Sequence, residues 1–229
     1  MSRWRVDVRP DLLGKLAWVA LALVLLGAAF LVAIRELGAN GARHHDEIVR
    51  FEMAVDGVLP APLSYSGERQ NLLDCMAMAD GIYGRLQTKA VLADMAATCA
   101  EAAEAALRSN PNYGFAALVL ARLAVIGDDW DRFNRMLVVS QRGAPAEQWV
   151  SVERLRLYAG HEDRLDAATL VARQADIALL LASPIGIRSI AGLYVRNESL
   201  RELIAAEAEK LPAEVQNKFV HTVRNIIGS

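Results

Sequence analysis

The sequence predicts an all-α protein in which one N-terminal transmembrane helix precedes a domain of helical hairpins. Three observations predict this class. An apolar run without charged residues fills positions 16–34. Hydrophobic residues then recur at helical spacings of three and four through most of residues 68–229. Only 6% of the residues are aromatic, and glycine (15) and proline (7) are sparse, which disfavours an all-β sandwich with frequent turns.

The charge balance excludes one class of function. The chain carries 25 basic and 27 acidic side chains, for a formal net charge of −2. A protein that binds nucleic acid through its phosphates carries a basic excess instead. With 54% hydrophobic residues, the chain also has enough apolar content to fold. We therefore expect a folded protein with no nucleic-acid partner.

The apolar run at 16–34 has the length of a membrane-spanning helix. Its 19 residues reach about 28 Å, close to the thickness of a bilayer core. Trp18 suits a membrane interface. Basic residues precede the run, namely Arg3, Arg5, Arg9 and Lys15. The positive-inside bias then predicts a bacterial inner-membrane protein with residues 1–15 in the cytoplasm and the C-terminal domain in the periplasm.

The alternative to an anchor is a secretory signal peptide cleaved near Ala42. Such a peptide has an apolar region of about 7–15 residues, followed closely by a cleavage site of small residues. Here the run is longer, and Arg35 and Glu36 follow it directly. These features favour a retained transmembrane helix.

Residues 35–67 predict a linker that contains one short helix. The linker begins with residues 37–41, and the stretch 43–55 is polar with helical character. Residues 57–67 contain two prolines and two glycines without a helical period, which predicts an extended connector. The helical-repeat domain then covers residues 68–229.

The first predicted hairpin joins two amphipathic helices through residues 84–88, with Thr88 as a candidate N-cap. The apolar stripe of its first helix consists of Leu72, Cys75, Ala79 and Ile82. The stripe of its second helix consists of Leu92, Met95, Cys99, Ala102 and Ala106.

Cys75 and Cys99 are the only cysteines, and each lies 12 positions from Gln87. If the hairpin turns at Gln87, both stand about 18 Å from the turn on facing stripes. Export to the periplasm would allow them to form a disulfide. Two buried, reduced thiols acting as small core residues are the alternative. Neither cysteine has the C-x-x-C spacing of a redox catalyst.

The second hairpin is predicted from a helix over 113–125 and a partner helix that begins near Asp129. Asp128, Asp129 and Asp131 lie at the turn between them, where N-capping explains acidic residues better than acid–base catalysis does. Further helices are predicted over 147–158 and 162–181, followed by three shorter ones. The residues proposed to open or cap the shorter helices are Pro184, Asn197 and Pro212.

The stretch 114–145 resembles a degenerate tetratricopeptide repeat. Leu120, Ala121 and Ala124 stand where such repeats place a large residue, a small residue and a filler. Three other positions depart from the pattern, because Ala117 replaces the usual tryptophan, Phe133 replaces an alanine and Gly127 comes one residue early. Only this one repeat is readable, so a long regular superhelix is not predicted.

A wider pattern over about residues 95–160 resembles a family of small membrane-anchored, tetratricopeptide-like proteins associated with exopolysaccharide or O-antigen synthesis in proteobacteria. The residues that carry the resemblance are Asn110, Pro111, Gly114, Phe115, Ala116, Trp130, Glu147, Trp149, Val150, Arg154 and Leu155. The resemblance implies a noncatalytic accessory role in envelope polysaccharide assembly. A membrane protein of polysaccharide polymerisation or export is the implied partner.

The sequence predicts no metal site, no cofactor and no enzyme. His44 and His45 are adjacent and so cannot share one helix face as the ligands of H-E-x-x-H do. His161 and His221 stand alone and are interpreted as solvated or capping residues. Nucleophile-elbow and phosphate-loop motifs do not occur. A sugar-chain hydrolase with paired carboxylates is the enzymatic alternative, for which no acidic pair is apparent.

The expected function is therefore that of an adaptor or scaffold that acts through protein–protein contacts. Trp130 and Phe133 are predicted to be core residues. The candidate interaction residues are Tyr113, Arg122, Trp149 and Arg156, chosen because these residue types dominate interface hot spots. Edge packing or a solvated helix face is the alternative for each. The alternative function is a scaffold or chaperone-like subunit of another envelope complex, for secretion or division.

Overall fold

A computed structural model of the chain describes residues 10–41 and 47–228. Within these residues the protein is all-α and has no strand, as the sequence predicts. The helices are α1 (Pro10–Gly41), α2 (Glu47–Val55), α3 (Tyr65–Asp80), α4 (Ile82–Arg85), α5 (Lys89–Ser109), α6 (Gly114–Ile126), α7 (Trp130–Gly143), α8 (Gln148–Ala159), α9 (Ala167–Leu181), α10 (Pro184–Arg196), α11 (Arg201–Ala208) and α12 (Ala213–Ile227).

The described residues form two compact units. One consists of α1 and residues 60–71, and the other consists of residues 47–59 and 72–228. The expected linker at 35–67 and domain at 68–229 divide the chain differently, because they assign α2 to the linker.

The first unit contains one helix that is long and apolar enough to cross a membrane. Its apolar part covers Gly14–Leu37 and is not buried within the protein. These 24 residues extend about 36 Å at the rise of an α-helix. The helix continues to Gly41, so the linker expected at 37–41 is helical instead. No proline interrupts that stretch, and its two glycines are tolerated in a helix at a cost of about 1 kcal/mol each.

The connector between α2 and α3 is non-helical, and its C-terminal part is held by the end of α1. Glu36 Oε1 accepts hydrogen bonds from the backbone N–H groups of Leu63 at 2.8 Å and Ser64 at 2.7 Å. Ser64 Oγ donates to Glu36 Oε2 at 2.6 Å. The same Ser64 hydroxyl accepts from the N–H of Gly67 at 3.0 Å and so satisfies one of the first N–H groups of α3.

In the second unit, α2 is part of the hydrophobic core rather than of a linker. Phe51 and Ala54 are fully buried, and the Phe51 ring packs edge-on against Tyr83 with centroids 5.2 Å apart. Arg50 forms an ion pair with Asp74 of α3. The polar composition of α2 conceals this role, because only one narrow face of the helix is apolar.

Cys75 of α3 and Cys99 of α5 form a disulfide in the core, with Cα atoms 5.8 Å apart. Both residues are completely buried. The stripe expected to continue to Ile82 is wrong, because α3 ends at Asp80 and Ile82 lies in the separate helix α4 with 69% of its surface exposed. On α5, Ala103 rather than Ala102 faces the core, whereas Ala106 is buried as predicted.

The helices α6 to α11 stack in two layers, and α12 packs against α10. The helix α6 pairs with α7, and α8 pairs with α9. One layer places α6, α8 and α10 side by side, and the other places α7, α9 and α11 side by side. Phe133 of α7 is fully buried, as predicted, whereas Trp130 at the start of α7 is half-buried.

A close approach at Gly114 fixes the first of these hairpins. A Cβ atom at this position would overlap Ala144 and lie 2.6 Å from the carbonyl oxygen of Ser140. Glycine therefore allows the start of α6 to contact the end of α7. The helix pair is thereby closed at the end remote from its turn at residues 127–129.

Side-chain caps define four of the helix starts in this unit, those of α5, α7, α9 and α10. The predicted N-caps at Thr88 and Asp129 are confirmed, with Asp129 Oδ1 accepting from the N–H of Arg132 at 2.9 Å. Pro184 opens α10 behind a Ser183 cap, as predicted. The helix expected from residue 162 instead begins at Ala167, because Asp166 caps it and accepts from the N–H of Thr169 at 2.7 Å.

Two of the predicted helix-opening residues have other roles. Pro212 is the N-cap of α12 rather than a residue of its first turn. Asn197 ends α10 and precedes a 3-10 turn at Glu198–Leu200, and its side chain makes no capping hydrogen bond there. In both cases the helix begins one or more residues later than the sequence pattern indicates.

A buried polar cluster joins α7, α8 and α9. Arg154 of α8 is completely buried and donates from Nε to Asp176 Oδ2 at 2.8 Å and from Nη2 to Asp176 Oδ1 at 2.5 Å. Its Nη1 donates to the carbonyl and hydroxyl oxygens of Ser140, both at 3.1 Å, and its Nη2 to Ser151 Oγ at 3.0 Å. Every edge of the guanidinium therefore has an acceptor, which compensates the cost of burying it.

Candidate interaction surface

A cleft of about 500 Å³ lies on the second unit, between α3, α4, α6 and α8. Its lining combines three arginines, two carboxylates, a histidine and an apolar floor. We call it the arginine cleft, and it is lined by Met76, Asp80, Arg85, Arg122, Val125, Glu153, Arg156, Leu157 and His161. Three guanidinium groups face two carboxylates, so the cleft carries an excess of positive charge.

Arg122 is the most restrained side chain of the arginine cleft. Its Nε donates to Asp80 Oδ1 at 2.6 Å, and its Nη2 donates to the carbonyl oxygen of Ala79 at 2.7 Å. Only 16% of the side chain is exposed. This geometry ties α6 to the C-terminal end of α3, so Arg122 shapes the cleft wall and offers little free surface.

Arg156 and Arg85 are the exposed cations of the arginine cleft. Arg156 Nη1 donates to Glu153 Oε1 at 2.6 Å, an i, i+3 pair on the surface of α8. Arg85 is exposed, and among the described residues it makes no salt bridge. Since surface ion pairs contribute only about 0–1 kcal/mol, Glu153 can release Arg156 to an incoming anion at little cost.

His161 closes one end of the arginine cleft. Its Nδ1 lies 3.0 Å from the carbonyl oxygen of Leu157 and must donate, because a carbonyl only accepts. The imidazole thus caps the C-terminal end of α8, in line with the predicted capping role. Its ring centroid lies 5.5 Å from those of Trp130 and Phe133. Arg164 stands over the Trp130 ring at 5.2 Å.

The structure separates the four candidate interaction residues into two groups. Arg122 and Arg156 both line the arginine cleft. Tyr113 is only 6% exposed, so its assignment to the surface is wrong. Trp149 is half-buried, and its ring packs against Phe115 with centroids 4.8 Å apart. The Phe115 ring lies beside Tyr113 on its other side, at 6.5 Å, so these aromatic residues fill the contact between α6 and α8.

The sequence did not indicate that Arg85, Asp80 and Glu153 belong to this surface. Arg85 lies in the turn predicted over residues 84–88, and no local pattern marks Asp80 or Glu153. Arg122 is 42 positions from its partner Asp80, and no local pattern reveals a pairing at that distance. Arg122 and Arg156 were predicted because arginine is enriched in interface hot spots, a signal that does not extend to Asp80 or Glu153.

Within the part of the chain that the structure describes, no group of three or more His, Cys, Asp or Glu side chains is placed to hold a metal ion. His44 and His45 lie outside the described residues. His221 is exposed on α12, where Asn225 lies 3.2 Å from its Nδ1. Arg154 and Asp176, the most buried ionisable pair, are enclosed by their own contacts and cannot reach a substrate.

Comparisons with known proteins identify no relative. No family model matches the chain. No curated protein and no solved structure is significantly similar to it. The class that the structure defines is therefore an all-α protein of stacked helical hairpins, with one N-terminal helix long and apolar enough to cross a membrane.

Proposed function

We propose that this protein is a noncatalytic, membrane-anchored adaptor that binds a partner protein through the arginine cleft. The observation that carries the proposal is the cleft itself, an open surface with a cationic excess above an apolar floor. Such a surface suits a peptide segment that carries both acidic and hydrophobic side chains. Helical hairpins of the tetratricopeptide type, to which the stretch 114–145 is similar, commonly use their stacked surfaces in this way.

The proposed location is the bacterial inner membrane, with α1 as a single-pass anchor. The length and exposure of Gly14–Leu37 support the anchor. The basic residues before the span support a cytoplasmic N-terminus and a periplasmic helical domain. The pairing of Cys75 with Cys99 is compatible with an oxidising compartment.

The proposed pathway is exopolysaccharide or O-antigen assembly, with a membrane protein of polysaccharide polymerisation or export as the partner. Its support is the sequence resemblance over residues 95–160. Several residues of that resemblance have structural roles, such as Gly114 in the α6–α7 contact and Arg154 in the buried cluster. The proposed pathway is thus a hypothesis about which partner binds. The arginine cleft is the surface on which that partner would bind.

Site-specific photo-crosslinking in cells tests the proposed surface. A photoreactive amino acid placed at Arg85 or Arg156 should crosslink to a membrane protein of polysaccharide assembly. The matched control is Arg142, an exposed arginine near the end of α7 that does not line the arginine cleft. We expect the control to give no such product. Equal crosslinking from Arg142 would show that the cleft is not the binding surface.

Two further outcomes distinguish the function from its alternatives. Capture of components of a secretion or division complex would favour a scaffold role there. Unchanged exopolysaccharide and O-antigen in a deletion strain would refute the pathway. Turnover of polysaccharide by the purified protein would refute the noncatalytic assignment and restore the hydrolase alternative.

A further inference from the structure

The end of the apolar span is hydrogen-bonded to a segment that is distant in sequence. Glu36 lies one residue before the end of Gly14–Leu37, so its carboxylate is at the depth where a spanning α1 leaves the hydrocarbon core. The same carboxylate holds the backbone of Leu63 and Ser64 at hydrogen-bond distance. Because both groups belong to one compact unit, the depth of Glu36 also fixes the depth of residues 63 and 64.

The held segment presents apolar side chains to its surroundings. Leu63 is 57% exposed and Tyr65 is 59% exposed, although both residues flank the tightly bound Ser64. Ala61 is exposed as well. Large apolar side chains that are exposed in this way indicate a contact surface. Tyrosine in particular is typical of the membrane–water interface.

The contact of this segment with α1 depends on a glycine at position 67. A Cβ atom at Gly67 would overlap the ring of Pro62 and lie 3.1 Å from Glu36 Oε2. Glycine at this position leaves room for the carboxylate to reach Ser64. The carboxylate itself accepts three hydrogen bonds, which offset the cost of placing a charge at the edge of the bilayer.

We infer that residues 61–65 form a membrane-docking element whose apolar side chains, Leu63 and Tyr65, insert into the boundary between phospholipid headgroups and acyl chains. Glu36 positions this element by binding its backbone. The inference rests on the proposed anchoring of α1 and adds a second contact with the lipid to it. Insertion of apolar side chains at this boundary typically reaches about 5–10 Å into the membrane.

Depth-dependent fluorescence quenching tests the inference with the full chain in phosphatidylcholine and phosphatidylglycerol vesicles. An NBD fluorophore is attached to a cysteine introduced at Leu63 or Tyr65, and the parent chain serves as the labelling blank. A lipid with a doxyl group near the headgroup should reduce the fluorescence roughly twofold or more, as expected for an interfacial position. A lipid with the doxyl group near the chain end should quench less. The same label at Leu25, inside the span, should show the reverse order, which tests the anchor separately.

Substitution of Glu36 tests the positioning role. Glu36→Ala should abolish quenching at Leu63, because the three hydrogen bonds to the connector are lost. Arg35→Ala is the matched control, since it removes a neighbouring exposed charge that, among the described residues, makes no hydrogen bond or ion pair with the connector. It should leave the quenching unchanged. In both variants the label at Leu25 should behave as in the parent, which shows that α1 remains inserted.

Three results would overturn the inference. Absence of quenching at Leu63 and Tyr65 while Leu25 is quenched would place the element outside the membrane. Blue-shifted NBD emission without quenching would indicate that a protein surface, such as a second copy, covers these residues. Full quenching at Leu63 in Glu36→Ala would remove the positioning role of Glu36. Loss of quenching at Leu25 as well would instead refute the anchor on which the inference rests.

Discussion

The buried pair of Arg154 and Asp176 gives the most demanding test of the structure. We predict that Asp176→Asn, which keeps the shape of the side chain and removes its charge, strongly destabilises the helical domain. The guanidinium of Arg154 cannot lose its proton and is completely buried. After the substitution only neutral acceptors surround the guanidinium. The N–H₂ group of the new amide would then face the N–H donors of Arg154.

The size of this effect follows from the geometry. Removing one partner of a buried, hydrogen-bonded ion pair costs about 3–5 kcal/mol, because the other charge stays buried without compensation. For a domain of this size each kcal/mol lowers the melting temperature by about 2–4 °C. Asp176→Asn should therefore lower it by roughly 10 °C or more. Arg154→Met should have a similar effect, since the remaining hydrogen bond to Asp176, from Tyr158, is long at 3.5 Å.

The double variant Arg154→Met/Asp176→Leu separates a charge effect from a simple loss of packing. It leaves no buried charge, so it should recover at least about 2 kcal/mol relative to the sum of the single variants. The carbonyl oxygen of Ser140 remains satisfied in it, because the N–H of Ala144 also donates to this atom. Lys218→Met, which removes an exposed pair on α12, should leave the stability unchanged.

Thermal unfolding of the full chain in nanodiscs, followed by far-UV circular dichroism, measures these differences. A melting temperature for Asp176→Asn within about 2 °C of the parent would contradict the reasoning, since that corresponds to less than about 1 kcal/mol. A double variant as unstable as the sum of its singles would show that packing, not charge pairing, is what the substitutions remove.

Four other predictions follow from features of the fold. Cys99→Ser should destabilise the chain by about 3 kcal/mol in the chain-entropy model, and alkylation without reduction should leave both Cys75 and Cys99 unmodified in the parent; two alkylated thiols would refute the pairing. An alkaline phosphatase fused to the C-terminus should be active, and an inactive fusion would reverse the proposed orientation. Burial raises the pKa of the Tyr158 phenol above its usual value, so stability should be complete below about pH 10 and fall as the pH rises above it, and phenolate absorbance should show Tyr158 ionising only on unfolding. Gly114→Ala should cost about 1–3 kcal/mol by overpacking against Ala144, and an unchanged urea midpoint would contradict that.

Hydrophobic periodicity predicted the class of fold and most of the helices. The starts of α5, α7 and α10 were predicted correctly because their caps, Thr88, Asp129 and Ser183-Pro184, are read from adjacent residues. The start of α9 was placed early because Glu162–Arg164 forms a 3-10 turn whose residues have ordinary helix propensity. Local sequence does not determine where such a 3-10 turn ends and the capped α-helix begins.

Burial of individual polar and aromatic residues was harder to predict, because it depends on contacts between distant segments. The sequence does not indicate that Arg154 is buried, because its partner Asp176 stands 22 positions away on another helix. Tyr113 was predicted to lie on the surface from its residue type alone, but it is only 6% exposed and lies beside the Phe115 ring. Two of the nine residues that line the arginine cleft, Arg122 and Arg156, were predicted, because arginine is among the residue types that dominate interface hot spots.

The buried polar cluster also limits how this array of hairpins could change in length during evolution. Arg154 contacts the hairpin before its own through Ser140 and contacts the second helix of its own hairpin through Asp176. An additional hairpin inserted between α7 and α8 would separate these groups and leave a buried guanidinium without its acceptors. A duplication at this junction would therefore have to supply new acceptors for the Arg154 guanidinium, so this side chain constrains the order of the central hairpins.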